Sequence, residues 1–250
     1  PIYLRDLPGI VRAVALTFLI LAIARPVSVL SDQKADDKGI DIVIVLDVSV
    51  SMAAVLDADP GALPGAPRPE PGKRFTRLDT AKLVINDFVS RRKTDRIGVV
   101  VFGRSAYVLS PPTLDYHLLT QLVDRVQLGV VDGYGTAIGD ALGTAVARMR
   151  RSDAASKVIV LLTDGDSNAG QLAPEYAAHL ATSVGAKVHT VQIGDGEEVD
   201  VYEGNDLFGQ PRYVRHRFPV NPELLKRIAK TTGGEAYVAT DAKALVDSMH

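Results

Sequence analysis

Ile40 to Ser51 reads Ile-Asp-Ile-Val-Ile-Val-Leu-Asp-Val-Ser-Val-Ser. From Ile40 to Leu46 nearly every residue is apolar, the pattern of a strand buried on both faces, as in a parallel sheet. Three further β-branched runs share it: Ile97 to Phe102, Val158 to Leu162 and Val188 to Ile193. Helical stretches fall between them, over Leu78 to Arg92, Leu114 to Val126, Ala137 to Arg150 and Pro174 to Val184. Asn221-Pro222-Glu223 opens one more helix, and Gly233-Gly234 closes it ahead of a strand near Ala236 to Ala239. This alternation predicts an open α/β fold with a mostly parallel central sheet and helices on both faces. Two segments break the rhythm. Ala53 to Lys73 carries five prolines and reads as an extended surface loop. Asp195 to Pro219, with Asp206-Leu-Phe-Gly209 in its middle, reads as a hairpin-type insertion. The expected organisation is thus a segment 1–30, a linker 31–39 and a domain 40–250 with insertions at 53–73 and 195–219. There is no internal repeat.

Composition narrows the function classes. The chain has 250 residues, 28 Lys+Arg against 30 Asp+Glu, five His, no Cys and no Trp. A net charge of −2 and the lack of any Lys/Arg-rich run argue against nucleic-acid binding. The absence of cysteine excludes disulfides, thiolate metal sites and thiol nucleophiles, but it fits an oxidising compartment as well as a reducing one. Because the first residue is Pro1 and not Met, the sequence is read as part of a longer chain.

The N-terminal region carries the one shift in composition. Ala13 to Ala24 (AVALTFLILAIA) has no charge and a single polar residue, Thr17. Twelve helical residues cover about 18 Å, short of a ~30 Å hydrocarbon core. Extension to Ile10 and Leu30 reaches spanning length but takes in Arg12, Arg25 and Pro26; arginines near helix ends snorkel. A membrane helix is the expectation. A signal peptide, supported by Ala22-Ile23-Ala24, and a buried core helix are the alternatives.

Chemistry in an open α/β sheet is expected at the carboxyl ends of the strands. There the sequence places Asp47-Val-Ser49-Val-Ser51, Thr163-Asp164-Gly165-Asp166-Ser167-Asn168, and the loop Asp132-Gly-Tyr-Gly-Thr136 before a helix. Asp47, Ser49, Ser51, Thr136 and Asp164 together offer two carboxylates and three hydroxyls, with no sulfur or imidazole. Such a set suits a hard divalent cation, Mg²⁺ or Mn²⁺ with Ca²⁺ as a further candidate, and is poor for zinc. Neutral hydroxyl ligands keep the ion electrophilic toward an incoming carboxylate. The competing explanation is that Ser49, Ser51 and Thr136 are simply helix N-caps.

Asp47-x-Ser49-x-Ser51, Thr136 and Asp164 resemble the metal-ion-dependent adhesion site (MIDAS) of von Willebrand factor type A (VWA) domains, and the resemblance runs from about Ile40 to Met249. It is closer still to bacterial membrane-anchored aerotolerance (Bat-type) proteins. The shared features are Ala24-Arg25-Pro26, Arg96 to Phe102, Ser110-Pro111, Gly135 to Leu142, Lys157 to Asp164 and Thr232 to Gly234. The resemblance implies a Rossmann-like VWA domain, a Mg²⁺ completed by an acidic ligand from a protein partner, no catalysis, transmembrane helices flanking the domain, and work alongside MoxR-type AAA+ ATPases and other VWA proteins. It also implies a bacterial inner-membrane location with the domain on the extracytoplasmic, periplasmic side. Charge alone does not choose a side, since Arg5 and Arg12 precede the apolar run while Arg25, Lys34 and Lys38 follow it. Two departures stand out: Val50 occupies a position where the family commonly has Gly, and the proline-rich stretch after Met52 is longer than usual.

Two other readings compete. Asp47 could be the nucleophile of a haloacid dehalogenase-like phosphatase, but that chemistry wants a second carboxylate two residues on, where Ser49 stands. A purely structural domain without metal is the other. A serine hydrolase elbow is opposed by Val48 and Val50, His117, His179, His189, His216 and His250 form no metal-spaced pair, and no phosphate-binding glycine motif is present.

Overall fold

All seven residues of strand β1 (Asp41–Asp47) are buried, because helices cover both of its faces. Side chains alternate along a strand. Ile42, Ile44 and Leu46 therefore enter one core, packed by α2 (Arg77–Ser90) and α3 (Tyr116–Asp124). Val43 and Val45 enter the other, against α4 (Ile138–Met149), α5 (Pro174–Ser183) and α6 (Pro222–Thr232). Each such side chain is worth roughly 1.5–3 kcal/mol of transfer free energy, which holds the strand at the centre of the domain. At its amino end Asp41 is also buried, and the Arg96 guanidinium meets it with two bonds of 2.7 Å.

The sheet has the order β3 (Ala106–Thr113), β2 (Arg96–Phe102), β1, β4 (Lys157–Thr163), β5 (Ala186–Ile193), β8 (Ala236–Ala239). Only β2–β3 is antiparallel. The chain leaves β1 to build β2 on one side and later returns to lay β4 on the other. The carboxyl ends of β1 and β4 thus form a topological switch point, where open α/β sheets hold their ligands. Edge strand β3 was not anticipated from the sequence. It is only partly buried and contains Pro111-Pro112, which an edge strand tolerates. A separate antiparallel pair, β6 (Glu198–Asn205) with β7 (Pro211–Arg217), reverses over Asp206 to Gly209.

The computed structural model of the chain describes residues 7–24, 39–56, 74–194, 196, 198–240 and 244, in two units, Pro1–Asp37 and Lys38–His250. The expected linker and the proline-rich stretch lie outside the described residues from 31 to 38 and from 57 to 73. Where that stretch begins it belongs to the core: Ala54 and Leu56 are buried, Ala54 bridges to Val201 and Val55 to Thr76.

In the first unit, helix α1 (Leu7–Ala24) extends the apolar run by one and a half turns toward the amino end. Its one polar side chain from Ala13 onward, Thr17, donates to the Ala13 carbonyl at 2.9 Å, while Val11, Leu16, Phe18 and Ile20 are exposed. Eighteen residues cover about 27 Å. Among the described residues no helix is long and apolar enough to cross a membrane, so the spanning helix expected from the sequence is not found there.

Candidate metal centre

Asp47 is the last residue of β1 and is fully buried. Its Oδ1 accepts from the Ser49 amide at 2.8 Å and its Oδ2 from the Thr163 hydroxyl, at the end of β4, at 2.6 Å. The chain then makes a short 3-10 turn over Val50–Ala53, which brings the Ser49 and Ser51 hydroxyls within 2.9 Å of each other. Ser51 donates onward to Asp164 Oδ1 at 2.7 Å. Thr136 is held from the other side: its amide donates to Asn168 Oδ1 at 2.9 Å, and its Oγ1 lies 4.0 Å from where a Cβ on Gly165 would sit. The five residues singled out from the sequence thus gather at one rim.

The N-cap explanation fails for two of the three hydroxyls and is unsupported for the third. The cap of α4 is Ala137, not Thr136, and it makes no side-chain bond. Ser49 occupies the cap position of the 3-10 turn, but its side chain makes no capping bond to the backbone, and Ser51 lies inside that turn. Neighbouring carboxylates are engaged elsewhere: Asp166 accepts from Asn221 and the Ser167 amide, and Asp132 from the Tyr134 amide.

Two buried carboxylates side by side are electrostatically costly. Burial pushes the Asp47 carboxyl up to about 7, the Asp164 charge adds to this, and hydrogen bonds from Ser49 and Thr163 oppose it. Asp164 is likewise raised by burial, against the opposing Arg77 guanidinium and the Ser51 hydroxyl. A divalent cation would relieve both, and the all-oxygen donor set fits a hard one. Among the described residues no three His, Cys, Asp or Glu are grouped so that they could hold a metal ion by themselves.

Sequence reasoning missed Arg77. It is the first residue of α2, whose start is fixed by a capping box between Thr76 and Asp79. The side chain is 2% exposed and its Nη1 donates to Asp164 Oδ2 at 2.6 Å. It also lines a cavity of about 210 Å³ with Val55, Arg74, Glu198 and Asp200. An Arg at a helix start reads as a surface residue, and nothing local in the sequence signals its burial. Thr163 and Asn168 were read only as members of a loop, whereas they anchor Asp47 and Thr136.

An uncharacterised protein of Borreliella burgdorferi is 30% identical over 203 residues, covering 81% of this chain and 54% of its own length. The chain therefore spans about half of that relative. A UPF0353 protein of Nocardia farcinica is 32% identical over 262 residues, covering 98% of this chain and 70% of its own. Among solved structures, an aerotolerance-related membrane protein of Bacteroides fragilis superposes with a TM-score of 0.63 at 24% identity, over 84% of this chain and 96% of that one. Proximal thread matrix protein 1 of mussel byssus, with a zinc-occupied MIDAS motif, gives 0.58 at 20% identity, over 84% and 45%. At these identities the structural likenesses speak for the fold. The family model of the von Willebrand factor type A domain matches residues 41–249, nearly the whole of the second unit, and the chain belongs to that family.

Proposed function

We propose that the Lys38–His250 unit is a non-catalytic, metal-dependent protein-binding module. Ser49, Ser51 and Thr136 would ligate a divalent cation directly, with Asp47 and Asp164 binding it directly or through water. A carboxylate from the partner, an Asp or Glu, would complete the shell. The observation that carries this reading is the convergence of three hydroxyls and two buried carboxylates at the switch point, with the cap explanation largely removed. Mg²⁺ is the cation the donor set suits best. Because zinc occupies the corresponding motif in the mussel protein, Mn²⁺, Ca²⁺ and Zn²⁺ belong in the same titration. Around the rim Tyr134 is 82% exposed and Val50 38%, which gives a partner side chains to pack on.

The direct test is affinity capture with and without EDTA, read by mass spectrometry. Partners released by EDTA and restored by Mg²⁺ support the module. Metal-dependent turnover of a phosphate ester would instead favour the phosphatase. A metal-independent capture pattern would favour a structural domain. Val50 has a narrower expectation. It opens a 3-10 turn, whose backbone has negative φ, so its β-branched side chain carries no left-handed strain. Val50→Gly should leave Mg²⁺ affinity within a few-fold by calorimetry; a large gain would mean that the valine distorts the loop.

Membrane anchoring near α1 is part of this proposal. It is supported by the exposed apolar surface of that helix and by the Bacteroides neighbour, described as a membrane protein. The periplasmic side of a bacterial inner membrane, a role in aerotolerance, and work with a MoxR-type AAA+ ATPase and other VWA proteins rest on resemblance to Bat-type proteins. Protease added to intact spheroplasts should cleave the domain; protection until lysis would place it inside.

A further inference from the structure

Burying a guanidinium is costly unless its charge is matched, and among the described residues Arg77 is matched sparsely. Nη1 donates to Asp164 at 2.6 Å, Nη2 reaches the Gly196 carbonyl only at 3.4 Å, and Nε has no hydrogen-bond partner among the described residues. The chain has nevertheless made room for it. Gly194 has φ +83°, and a Cβ there would lie 2.5 Å from Nη2. Asp164 is consequently shared: Oδ1 takes the Ser51 hydroxyl on the side of the metal-site cluster, and Oδ2 takes Arg77.

From this sharing we propose that Arg77 is the resident cation of the site, competing with the divalent metal for Asp164 and setting its affinity. The inference rests on the metal-binding reading above. Metal-free, the guanidinium neutralises one of the two buried carboxylates, so the domain folds without its ion. Metal-loaded, two carboxylates, one guanidinium and one dication leave a single positive charge, which one carboxylate from a partner would neutralise. Arg77 thereby makes metal retention depend on the partner: the ion is held loosely alone and tightly in the complex. The cavity beside Arg77, lined by Glu198 and Asp200, offers the guanidinium room and negative charge when the metal draws on Asp164.

Calorimetric Mg²⁺ titration of wild type, Arg77→Gln and Arg77→Lys tests this, with melting curves in EDTA and in millimolar Mg²⁺. Loss of a positive charge a few ångströms from the ion should tighten Mg²⁺ binding in Arg77→Gln by roughly tenfold or more. The same variant should melt lower in EDTA and gain more from Mg²⁺ than wild type does. Arg77→Lys, which keeps the charge but not the planar fork, should bind within about threefold of wild type. A merely structural arginine would give the opposite sign, weaker metal binding on removal. Mg²⁺ affinity in Arg77→Gln equal to or below that of wild type overturns the proposal alone. Absence of Mg²⁺ binding in both proteins overturns the metal reading and this proposal with it. Should Arg77→Gln be unfolded in EDTA, recovery of a cooperative melt in Mg²⁺ supports the proposal and failure to recover counts against it.

Discussion

Asp47→Asn should make the metal-free domain more stable at about pH 8, by on the order of 2–3 kcal/mol, while abolishing its Mg²⁺ binding. The Asp47 carboxyl is raised from 3.8 to about 7, chiefly by burial. Between those two values the native state holds a proton that the unfolded chain has released. Stability from this group is therefore present in full below the lower value, falls as pH rises through the window, and levels off above the upper one. An amide has no such proton to lose. The lead of the variant should be absent near pH 4 and complete above about 7. Re-pairing of the Ser49 amide and the Thr163 hydroxyl with the new amide subtracts about 1 kcal/mol and is included in the range. Urea unfolding in EDTA across this range measures it. A variant less stable than wild type at pH 8 would show that Asp47 is ionised and well accommodated without metal.

The second large effect is expected at Gly139, in the first turn of α4. A Cβ there would sit 1.8 Å from the Leu172 carbonyl oxygen and 2.7 Å from its carbon, both backbone atoms. The same turn grips that loop through Asp140, whose carboxylate accepts from the Gln171 and Leu172 amides. Neither side can yield cheaply. Gly139→Ala should cost about 3 kcal/mol, which for a domain of this size lowers the melting temperature by about 10 °C. It should also weaken Mg²⁺ binding, because the displaced loop begins at Asn168, which holds the Thr136 amide. Gly143, one turn on, is the control: a Cβ there would meet only the end of the Leu172 side chain, at 2.8 Å. Gly143→Ala should cost about 1 kcal/mol, since a flexible side chain can rotate away. Equal melting temperatures for the two variants would contradict this account of the packing.

Much of the fold was legible because strands buried on both faces need apolar residues at successive positions, and β1, β2, β4 and β5 obey. Strand β3 was not, since an edge strand that starts half-exposed and contains Pro111-Pro112 has no such pattern. The start of the proline-rich stretch misled in a different way. Its composition reads as surface loop, yet Ala54 and Leu56 are buried and the segment is tied down by bridges from Ala54 to Val201 and from Val55 to Thr76, pairings no local window contains. At the site, the oxygen-bearing residues stood out because they punctuate the ends of apolar strands. What the sequence left open was whether Ser49, Ser51 and Thr136 cap helices, a matter of backbone geometry at one or two residues. Arg77 was invisible because its partner lies 87 residues away, and only tertiary packing turns a helix-start arginine into a buried counter-charge.

The central claim, a divalent cation held by Asp47, Ser49, Ser51, Thr136 and Asp164, is tested most directly by Mg²⁺ calorimetry on wild type and on the Asp47→Ala, Asp164→Ala double variant. Circular dichroism establishes that both are folded. Saturable binding to wild type and none to the double variant is the expected result. Equal affinity in the two folded proteins would contradict the assignment of the site.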